Sequence, residues 1–244
     1  MRRLLLVVQY DGTDYCGFQR QPGLPTIQGE LEDALTQLLD RETAVTGAGR
    51  TDAGVHAVGQ TGTFETDSPI PTERVAGALN ALLPDEVAIA EAREVPEDFH
   101  PRYHAVGKLY GYRILNRDLP SPFIGRYAWH LSFELKLPPM RDAAQALLGE
   151  HDFEAFSSSG SSVESTVRTL RRLDIERQGE LIEIRLEADG FLYMMARRIV
   201  GTLTDVGRGL IPVEEVPELL RSRDRNRVRT VAPPQGLSLI KVVY

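Results

Sequence analysis

An unusual run at positions 47–57 is the strongest candidate for chemistry in this sequence. It reads Gly-Ala-Gly-Arg-Thr-Asp-Ala-Gly-Val-His-Ala, so glycines stand on both sides of Arg50 and Asp52. Glycine allows sharp turns and close approach of a ligand, and a carboxylate held beside a guanidinium on such a loop can act as a nucleophile. A tight turn capped by Asp52 explains the same residues. A phosphate-binding P-loop is excluded, because the Gly-Lys-Ser/Thr ending is missing.

A second candidate is the segment 108–114, Lys-Leu-Tyr-Gly-Tyr-Arg-Ile. Because side chains alternate along a strand, Tyr110 and Tyr112 are expected to share one face. Two aromatic rings on one sheet face, with Lys108 alongside, can stack nucleobases. A half-buried strand with ordinary aromatic residues is the other interpretation.

Two further candidates lie among apolar neighbours. Arg197 belongs to a helical pattern over 190–201 but falls away from its main apolar face. It either faces solvent or reaches across to a carboxylate. Leu237 follows the stiff segment Ala-Pro-Pro-Gln-Gly at 232–236 and is equally explained as a core residue.

Metal and disulfide chemistry receive no support from the sequence. Cys16 is the only cysteine, which excludes an internal disulfide and makes a reducing cytoplasm the default. His100 and His104 are four residues apart, but Pro101 disfavours a helical pair of ligands. No run is long and apolar enough for a membrane span, and the apolar stretch at 4–8 is too short for a signal peptide. We therefore expect a cytoplasmic protein without a metal.

The composition is that of a globular protein, with 42% hydrophobic and 26% charged residues, and it excludes collagen, coiled coil and wholesale disorder. The net charge of −7 alone argues against a nucleic-acid partner. However, residues 1–105 have 8 basic and 17 acidic side chains, whereas residues 106–244 have 20 and 18. Five arginines fall within 221–229, and the planar guanidinium group of arginine is well shaped to hydrogen-bond phosphate. This run is either a phosphate-contacting surface or an ordinary solvated face.

Hydrophobic periodicity predicts two α+β halves, 1–105 and 106–244. The first half has the order strand, helix, strand, strand, helix, strand, which is the split βαβ or ferredoxin-like arrangement. Its elements are predicted at 3–10, 27–39 with Thr26 as N-cap, 43–47, 57–65, 72–83 and 87–95. The second half repeats this order of elements. Its strands are predicted at 106–115, 127–131, 166–177, 180–188 and 237–243, its helices at 138–148, 191–206 and 213–223, and a mobile serine-rich loop at 157–162.

Taken in order, these segments resemble the tRNA pseudouridine synthase A family over nearly the whole chain. The most specific motif is Gly-Arg-Thr-Asp-Ala-Gly-Val-His-Ala at 49–57. Other matching motifs occur at 9–13, 17–21, 26–32, 108–112, 151–153, 166–169, 191–201 and 236–239. Two segments depart from the family's pattern. Met-Ala-Arg-Arg at 195–198 replaces Met-Val-Arg-Asn, and Val-Arg-Thr-Val at 228–231 replaces Ala-Gly-Pro-Thr.

The resemblance implies a fold and an activity. The fold is two ferredoxin-like halves with antiparallel sheets that form one catalytic unit. Residues 1–105 carry the catalytic loop, and the more basic residues 106–244 stack the base and contact tRNA. The activity is isomerisation of uridine to pseudouridine at positions 38–40 in the anticodon stem-loop of tRNA. The resemblance further implies a homodimer that needs neither cofactor nor metal.

The resemblance also implies a role for each candidate residue. Asp52 is the nucleophile, and Arg197 pairs with it. Tyr110 stacks on the target base, and Leu237 packs on that base from another side. Arg50 helps to displace the uridine from its helix, since a base must be flipped out before it can react.

Two other functions are compatible with the residues alone. A non-catalytic RNA-binding protein with tandem ferredoxin-like domains would use the exposed aromatics and would not need Asp52. A glycoside-cleaving enzyme for small molecules would pair Asp52 with a second acid such as Asp11 or Asp14 and would act on free nucleosides.

Overall fold

The structure, a computed structural model, describes residues 1–160 and 164–244. The predicted serine-rich loop falls partly outside this range, because Ser161 and Ser162 are not among the described residues. The chain forms two compact units, Met1–Val106 with Ser238–Tyr244, and Gly107–Leu237. The first boundary lies beside the one expected from the sequence. The last strand, expected in the second half, lies in the first unit because it pairs with a strand there.

The first unit consists of two helices and a small sheet. Its elements are β1 (Arg2–Tyr10), α1 (Ile27–Leu39), β2 (Thr46–Gly47), β3 (His56–Thr66), α2 (Thr72–Asn80) and β4 (Val87–Val95). Strand β1 lies between β3 and β4, antiparallel to both, and β2 pairs with β3. The order β4-β1-β3-β2 is the ferredoxin-like arrangement expected from the sequence.

The core of this unit follows the predicted periodicity. Residues Leu4–Leu6 of β1 are fully buried, as are Ile27, Leu31 and Leu35 of α1. The Thr26 side chain accepts a hydrogen bond from the Gly29 amide, which confirms it as the N-cap. The pairing of β1 shifts by one residue against each neighbour near its C-terminal end. Such bulges redirect strand ends, and these lie where β1 runs toward the Asp52 loop.

The second unit contains the other helices. Its elements are β5 (Gly107–Asn116), β6 (Trp129–Leu131), α3 (Leu137–Gln145), β7 (Gly149–Asp152), β8 (Val167–Gln178), β9 (Leu181–Ala188), α4 (Met195–Gly207) and α5 (Val216–Ser222). Strands β5, β9, β8 and β7 pair antiparallel in that order, and β6 runs parallel to β5. Gly179 forms the predicted turn between β8 and β9 with a φ of +62°. The strand β10 (Leu237–Val243) follows and pairs in parallel with β3.

Several predicted bounds differ from the structure, and β7 was not predicted. The largest difference at the start of a helix is in α4. The helix expected from Phe191 begins at Met195, because Met194 has a left-handed backbone with φ of +62°. The apolar pattern continues past this start because Leu192 is buried and Phe191 packs on Tyr110. None of the helices in the described part of the chain is both long enough and apolar enough to span a membrane.

Candidate active site

The Asp52 loop, residues 48–55, connects β2 to β3 in the first unit. The Ala48 amide donates to the Thr61 carbonyl at 2.9 Å, which ties the start of the loop to β3. A β-turn ends the loop, since the Val55 amide donates to the Asp52 carbonyl at 3.1 Å. Gly54 provides the positive φ of +74° that this turn requires. The backbone carbonyl of Asp52 therefore closes this turn.

The segment 12–18 lies against the loop and fixes its backbone. The Phe18 amide donates to the Thr51 carbonyl at 3.1 Å, and the Gly54 amide donates to the Tyr15 carbonyl at 3.2 Å. A Cβ on Gly17 would lie 2.7 Å from the Thr51 carbonyl oxygen, and the backbone of Gly17 has a φ of +97°. Glycine is therefore required here both by the close approach and by the backbone conformation.

His56 and Gly12 make a second connection to the loop. The Gly12 amide donates to Nδ1 of the buried His56 at 3.1 Å, and a carboxylate oxygen of Asp11 lies 3.1 Å from the same nitrogen. A Cβ on Gly12 would lie 2.1 Å from the Val55 carbonyl oxygen, so the backbones of these two segments are in direct contact. Asp11 also accepts a hydrogen bond from the backbone amide of Thr13 at 2.9 Å, in the turn that follows β1.

The three central residues of the loop differ in burial. Thr51 is 6% exposed, while Arg50 is exposed and Asp52 is half-buried. A buried residue between two more accessible ones holds the charged side chains at the surface of a rigid loop. This geometry suits a nucleophile beside a cation, as the sequence predicts for Asp52 and Arg50.

In the second unit, Tyr110 lies in β5 opposite Leu186 of β9 and is buried. Its ring meets the ring of Phe191 edge to face, with centroids 4.9 Å apart and an interplanar angle of 79°. The residues just before α4 therefore support Tyr110 directly. The sequence did not predict this contact, because it assigned Phe191 to the helix.

Tyr112 does not have the role that the sequence allowed for it. Its side chain is fully buried, and its hydroxyl donates to the Pro233 carbonyl at 2.8 Å. Burial raises the pKa of Tyr112 far above its usual value, and the positive charge of Arg197 partly offsets this increase. The ring cannot stack a nucleobase from this position, so we correct the expectation that Tyr110 and Tyr112 form a pair of stacking rings.

The segment 232–237 links two of the candidate residues, because it is bonded to Arg197 at its start and ends at Leu237. The Arg197 Nε donates to the Ala232 carbonyl at 2.7 Å, and the Ala232 amide donates back to the Arg197 carbonyl at 3.1 Å. Leu237 is 5% exposed and follows a short 3-10 turn, Pro234–Gly236. A Cβ on Gly236 would lie 2.5 Å from the Tyr112 ring. The segment from Ala232 to Leu237 is thereby fixed between α4 and β5.

The two departures from the family's pattern are in contact with each other. The Arg198 Nη1 donates to the carbonyls of Arg225 at 2.9 Å and Val228 at 3.1 Å. Burial lowers the pKa of Arg198, and the charge of Arg225 lowers it further. Three residues along, a Cβ on Gly201 would lie 2.1 Å from the Thr230 carbonyl oxygen. Helix α4 thus holds the unusual segment 228–231 by its backbone.

The arginine-rich run 221–229 is mostly engaged in ion pairs. Arg223 pairs with Asp152 at 3.0 Å, Arg225 with Glu154 at 3.4 Å, Arg227 with Glu215 at 3.3 Å and Arg221 with Glu218 at 2.5 Å. The sequence allowed either a phosphate-contacting surface or a solvated face, and neither describes this paired arrangement fully. The run connects α5 and its flanks to the rest of the second unit, and its charge is largely balanced locally.

The structure therefore places Arg50 and Asp52 together on the Asp52 loop, and Tyr110, Arg197 and Leu237 in the second unit. Sequence reasoning missed the residues that support them, such as the buried Thr51 and the half-buried Arg198. In the part of the chain that the structure describes, no three His, Cys, Asp or Glu side chains come together in a way that could hold a metal ion.

Comparison with known proteins decides the family. Residues 6–104 and 143–244 match the family described as tRNA pseudouridine synthase. The chain belongs to this family. It is 47% identical to tRNA pseudouridine synthase A from Thermoanaerobacter sp. (strain X514) and 45% identical to the protein of that name from Acetivibrio thermocellus. Both alignments cover 100% of this chain and 100% of the relative.

Family membership makes the protein a tRNA pseudouridine synthase, an isomerase. This selects the isomerase over the RNA-binding protein and the nucleoside-cleaving enzyme that the residues alone left open. Among solved structures, a chain of a Cbf5-Nop10-Gar1 complex aligns with 82% of this chain and 54% of its own length. The identity is 14% and the TM-score is 0.35, and we draw no argument from a likeness at that level.

Proposed function

We propose that this tRNA pseudouridine synthase isomerises uridine at positions 38–40 of the anticodon stem-loop, with Asp52 as the nucleophile. The observation that carries the proposal is the Asp52 loop itself, in which a half-buried carboxylate stands on a backbone held by the segment 12–18. Positioning of a nucleophile contributes to rate because the reacting atoms must be close and aligned before reaction.

The reaction needs a nucleophile but no redox change. The bond between N1 of the uracil and C1′ of the ribose breaks, the base turns, and a bond forms between C5 and C1′. C5 loses a proton and N1 gains one, so atoms and electrons balance without a cofactor or a metal. The Asp52 carboxylate can attack either C1′ of the sugar or C6 of the base, and both routes end in the same product.

The other site residues have proposed roles that follow from the resemblance. From the resemblance, Arg197 is the proposed cationic partner of Asp52 in the reaction. Tyr110 stacks on the target base and assists removal of the C5 proton, and Leu237 packs on the base. Arg50 is exposed beside Asp52, where it can take the place of the flipped uridine.

We further propose that the enzyme works as a homodimer in the cytoplasm, with a tRNA cleft shared between subunits. The first 105 residues carry an excess of acidic side chains, which makes binding of the phosphate backbone by one protomer unfavourable. Pairing of two protomers doubles the available positive surface. Light scattering of the active species across a dilution series measures this directly.

The experiment that tests the function follows tritium release from C5-labelled uridine in tRNA transcripts. We expect Asp52→Asn to reduce turnover by about 10⁴-fold or more, because the amide cannot act as the nucleophile. Affinity for tRNA should stay within about threefold, since binding rests on many phosphate contacts. Transcripts with uridine at only one of positions 38, 39 and 40 identify the target. The exposed Asp14→Asn is the control and should react at the wild-type rate.

Substantial pseudouridine formation by Asp52→Asn would remove Asp52 from the role of nucleophile. Equal release from uridines outside the anticodon stem-loop would refute the proposed target while leaving the family assignment intact.

A further inference from the structure

A buried polar network lies directly beneath the Asp52 loop. The hydroxyl oxygens of Tyr10 and Thr51 are 2.8 Å apart, and the two residues are 4% and 6% exposed. Tyr10 is the last residue of β1, at the bulged end of the strand. The network therefore connects the central strand of the first unit to the residue next to Asp52.

Gln60 of β3 extends the network to the other side of Arg50. It is fully buried, and its Nε2 donates to the Gly49 carbonyl at 3.1 Å. Its Oε1 accepts from the Thr61 amide at 3.1 Å, and its side chain also hydrogen-bonds to Tyr10. The loop is thus held at Gly49 and at Thr51, the two residues that flank Arg50.

The network is uncharged across the range of pH in which proteins work. Burial raises the pKa of Tyr10 far above its usual value, and the hydrogen bonds from Thr51 and Gln60 only partly offset this increase. Tyr10 therefore keeps its proton. Neutral hydrogen bonds inside a protein are sensitive to the loss of one partner, because the other partner then remains buried and unsatisfied.

Thr51 is held through both its backbone and its side chain. Its carbonyl accepts from the Phe18 amide at 3.1 Å, and its hydroxyl meets Tyr10. Two anchors on one residue fix its rotation, and with it the direction in which the next residue leaves the loop. A buried hydroxyl group thus anchors the residue next to Asp52.

We propose that Thr51 is a positioning residue for Asp52, and that it acts through the hydrogen bond between its hydroxyl and Tyr10. This proposal rests on the assignment of Asp52 as the nucleophile. A displacement of about 1 Å at a reacting group can lower a rate by about 100-fold. Loss of the hydroxyl should therefore appear in the chemical step and not in tRNA binding.

The test compares Thr51→Val with Thr51→Ser in single-turnover and steady-state assays of pseudouridine formation. Valine keeps the branched shape but lacks the hydroxyl, whereas serine keeps the hydroxyl. We expect Thr51→Val to lower kcat by about 10- to 100-fold with KM for tRNA within about twofold. Thr51→Ser should stay within about threefold of wild type, because it retains the group that meets Tyr10.

Tyr10→Phe removes the other hydroxyl of the same hydrogen bond. It replaces Thr51→Val in the test if that variant does not fold. It should lower kcat in the same direction. The double variant Tyr10→Phe/Thr51→Val should be no slower than Tyr10→Phe alone, because Tyr10→Phe already removes the hydrogen bond to Thr51 together with the one to Gln60. Rates are measured well below the unfolding temperature of each variant, so that loss of folded protein does not contribute.

A wild-type kcat for folded Thr51→Val, or an equal loss in Thr51→Ser, would overturn the positioning role. So would a double variant whose loss is the product of the two single losses. Asp52→Asn in the same assay separates the two proposals. If Asp52→Asn is inactive and Thr51→Val is normal, only the positioning role fails. If Asp52→Asn is active, the nucleophile assignment fails and the positioning role fails with it.

Discussion

Two irregular segments adjoin or carry proposed site residues, and they are held by different sets of contacts. The Asp52 loop is fixed by backbone hydrogen bonds, by close glycine contacts and by the neutral Tyr10–Thr51 pair. The segment 223–236 also has close glycine contacts, at Thr230 and Gly236, but arginine side chains make many of its hydrogen bonds and ion pairs. Arg198 and Arg197 donate to its carbonyls, and Arg223, Arg225 and Arg227 of the segment pair with carboxylates.

This difference determines what each segment tolerates. Backbone contacts at van der Waals distance leave no room for an added atom, so the Asp52 loop depends on small residues at a few positions. Guanidinium groups on long side chains reach their partners from several directions and are screened by salt at the surface. The first segment should therefore fail abruptly when it is disturbed, and the second should weaken gradually.

The largest effect is expected from Gly12→Ala, which breaks the first arrangement. The new Cβ would lie 2.1 Å from the Val55 carbonyl oxygen, and neither backbone can move without breaking its hydrogen bonds. We expect a loss of about 3 kcal/mol or more in the free energy of unfolding, measured by chemical denaturation. Gly77→Ala is the control, because nothing lies near its added Cβ. It should be neutral or stabilising by up to about 1 kcal/mol. A Gly12→Ala variant as stable as wild type would contradict the close contact.

A smaller effect is expected from Arg198→Leu, which breaks the second arrangement. The carbonyls of Arg225 and Val228 lose their donor, and we expect a loss of about 1–3 kcal/mol in the free energy of unfolding. Amide hydrogen exchange should accelerate within 224–232 and stay unchanged within the Asp52 loop. The exposed Arg221→Leu is the control and should change stability by less than about 0.5 kcal/mol. Unchanged exchange in 224–232 would show that Arg198 does not hold that segment.

The smallest effect is expected from salt, which sharpens the comparison without a mutation. Each exposed ion pair of the second segment contributes about 0–1 kcal/mol and is screened at high ionic strength. Raising NaCl from about 0.1 M to about 1 M should speed amide exchange by a few-fold in 223–231. Exchange in the Asp52 loop should not change, because its network is neutral. Equal acceleration in both segments would remove the distinction between them.

Much of the fold could be predicted from the sequence because it depends on local pattern. Strands β4 and β10 have the predicted bounds, since alternation and flanking turn residues define them. The helix start at Met195 could not be predicted, because the apolar spacing continues through Phe191 and only the left-handed Met194 interrupts it. Apolar spacing reports which residues are buried, and residues before a helix can be buried as well.

In the candidate site, too, the sequence predicted the features that depend on local pattern and not those that depend on distant contacts. The glycines around Asp52 indicate sharp turns or close backbone approach, and the resemblance of 49–57 to the family's motif identifies the loop as a candidate site. The supporting residues do not stand out, since Thr51 and Tyr10 are ordinary residue types that lie far apart in the chain. Tyr112 shows the limit most clearly, because alternation places it on a face with Tyr110 but does not reveal that Pro233 covers its hydroxyl.

The sequence by itself thus determined the order of the elements, the family and the loop that carries Asp52, because these depend on residue types at short spacing. Only the tertiary structure decided that the arginine-rich run is balanced by carboxylates, that Arg198 holds the backbone at Val228, and that Thr51 meets Tyr10. The contacts of Arg198 with Val228 and of Tyr10 with Thr51 join residues 30 and 41 positions apart in the chain. The physical reason is that local periodicity constrains burial and direction, whereas the partner of a polar group is set by the packing of distant elements.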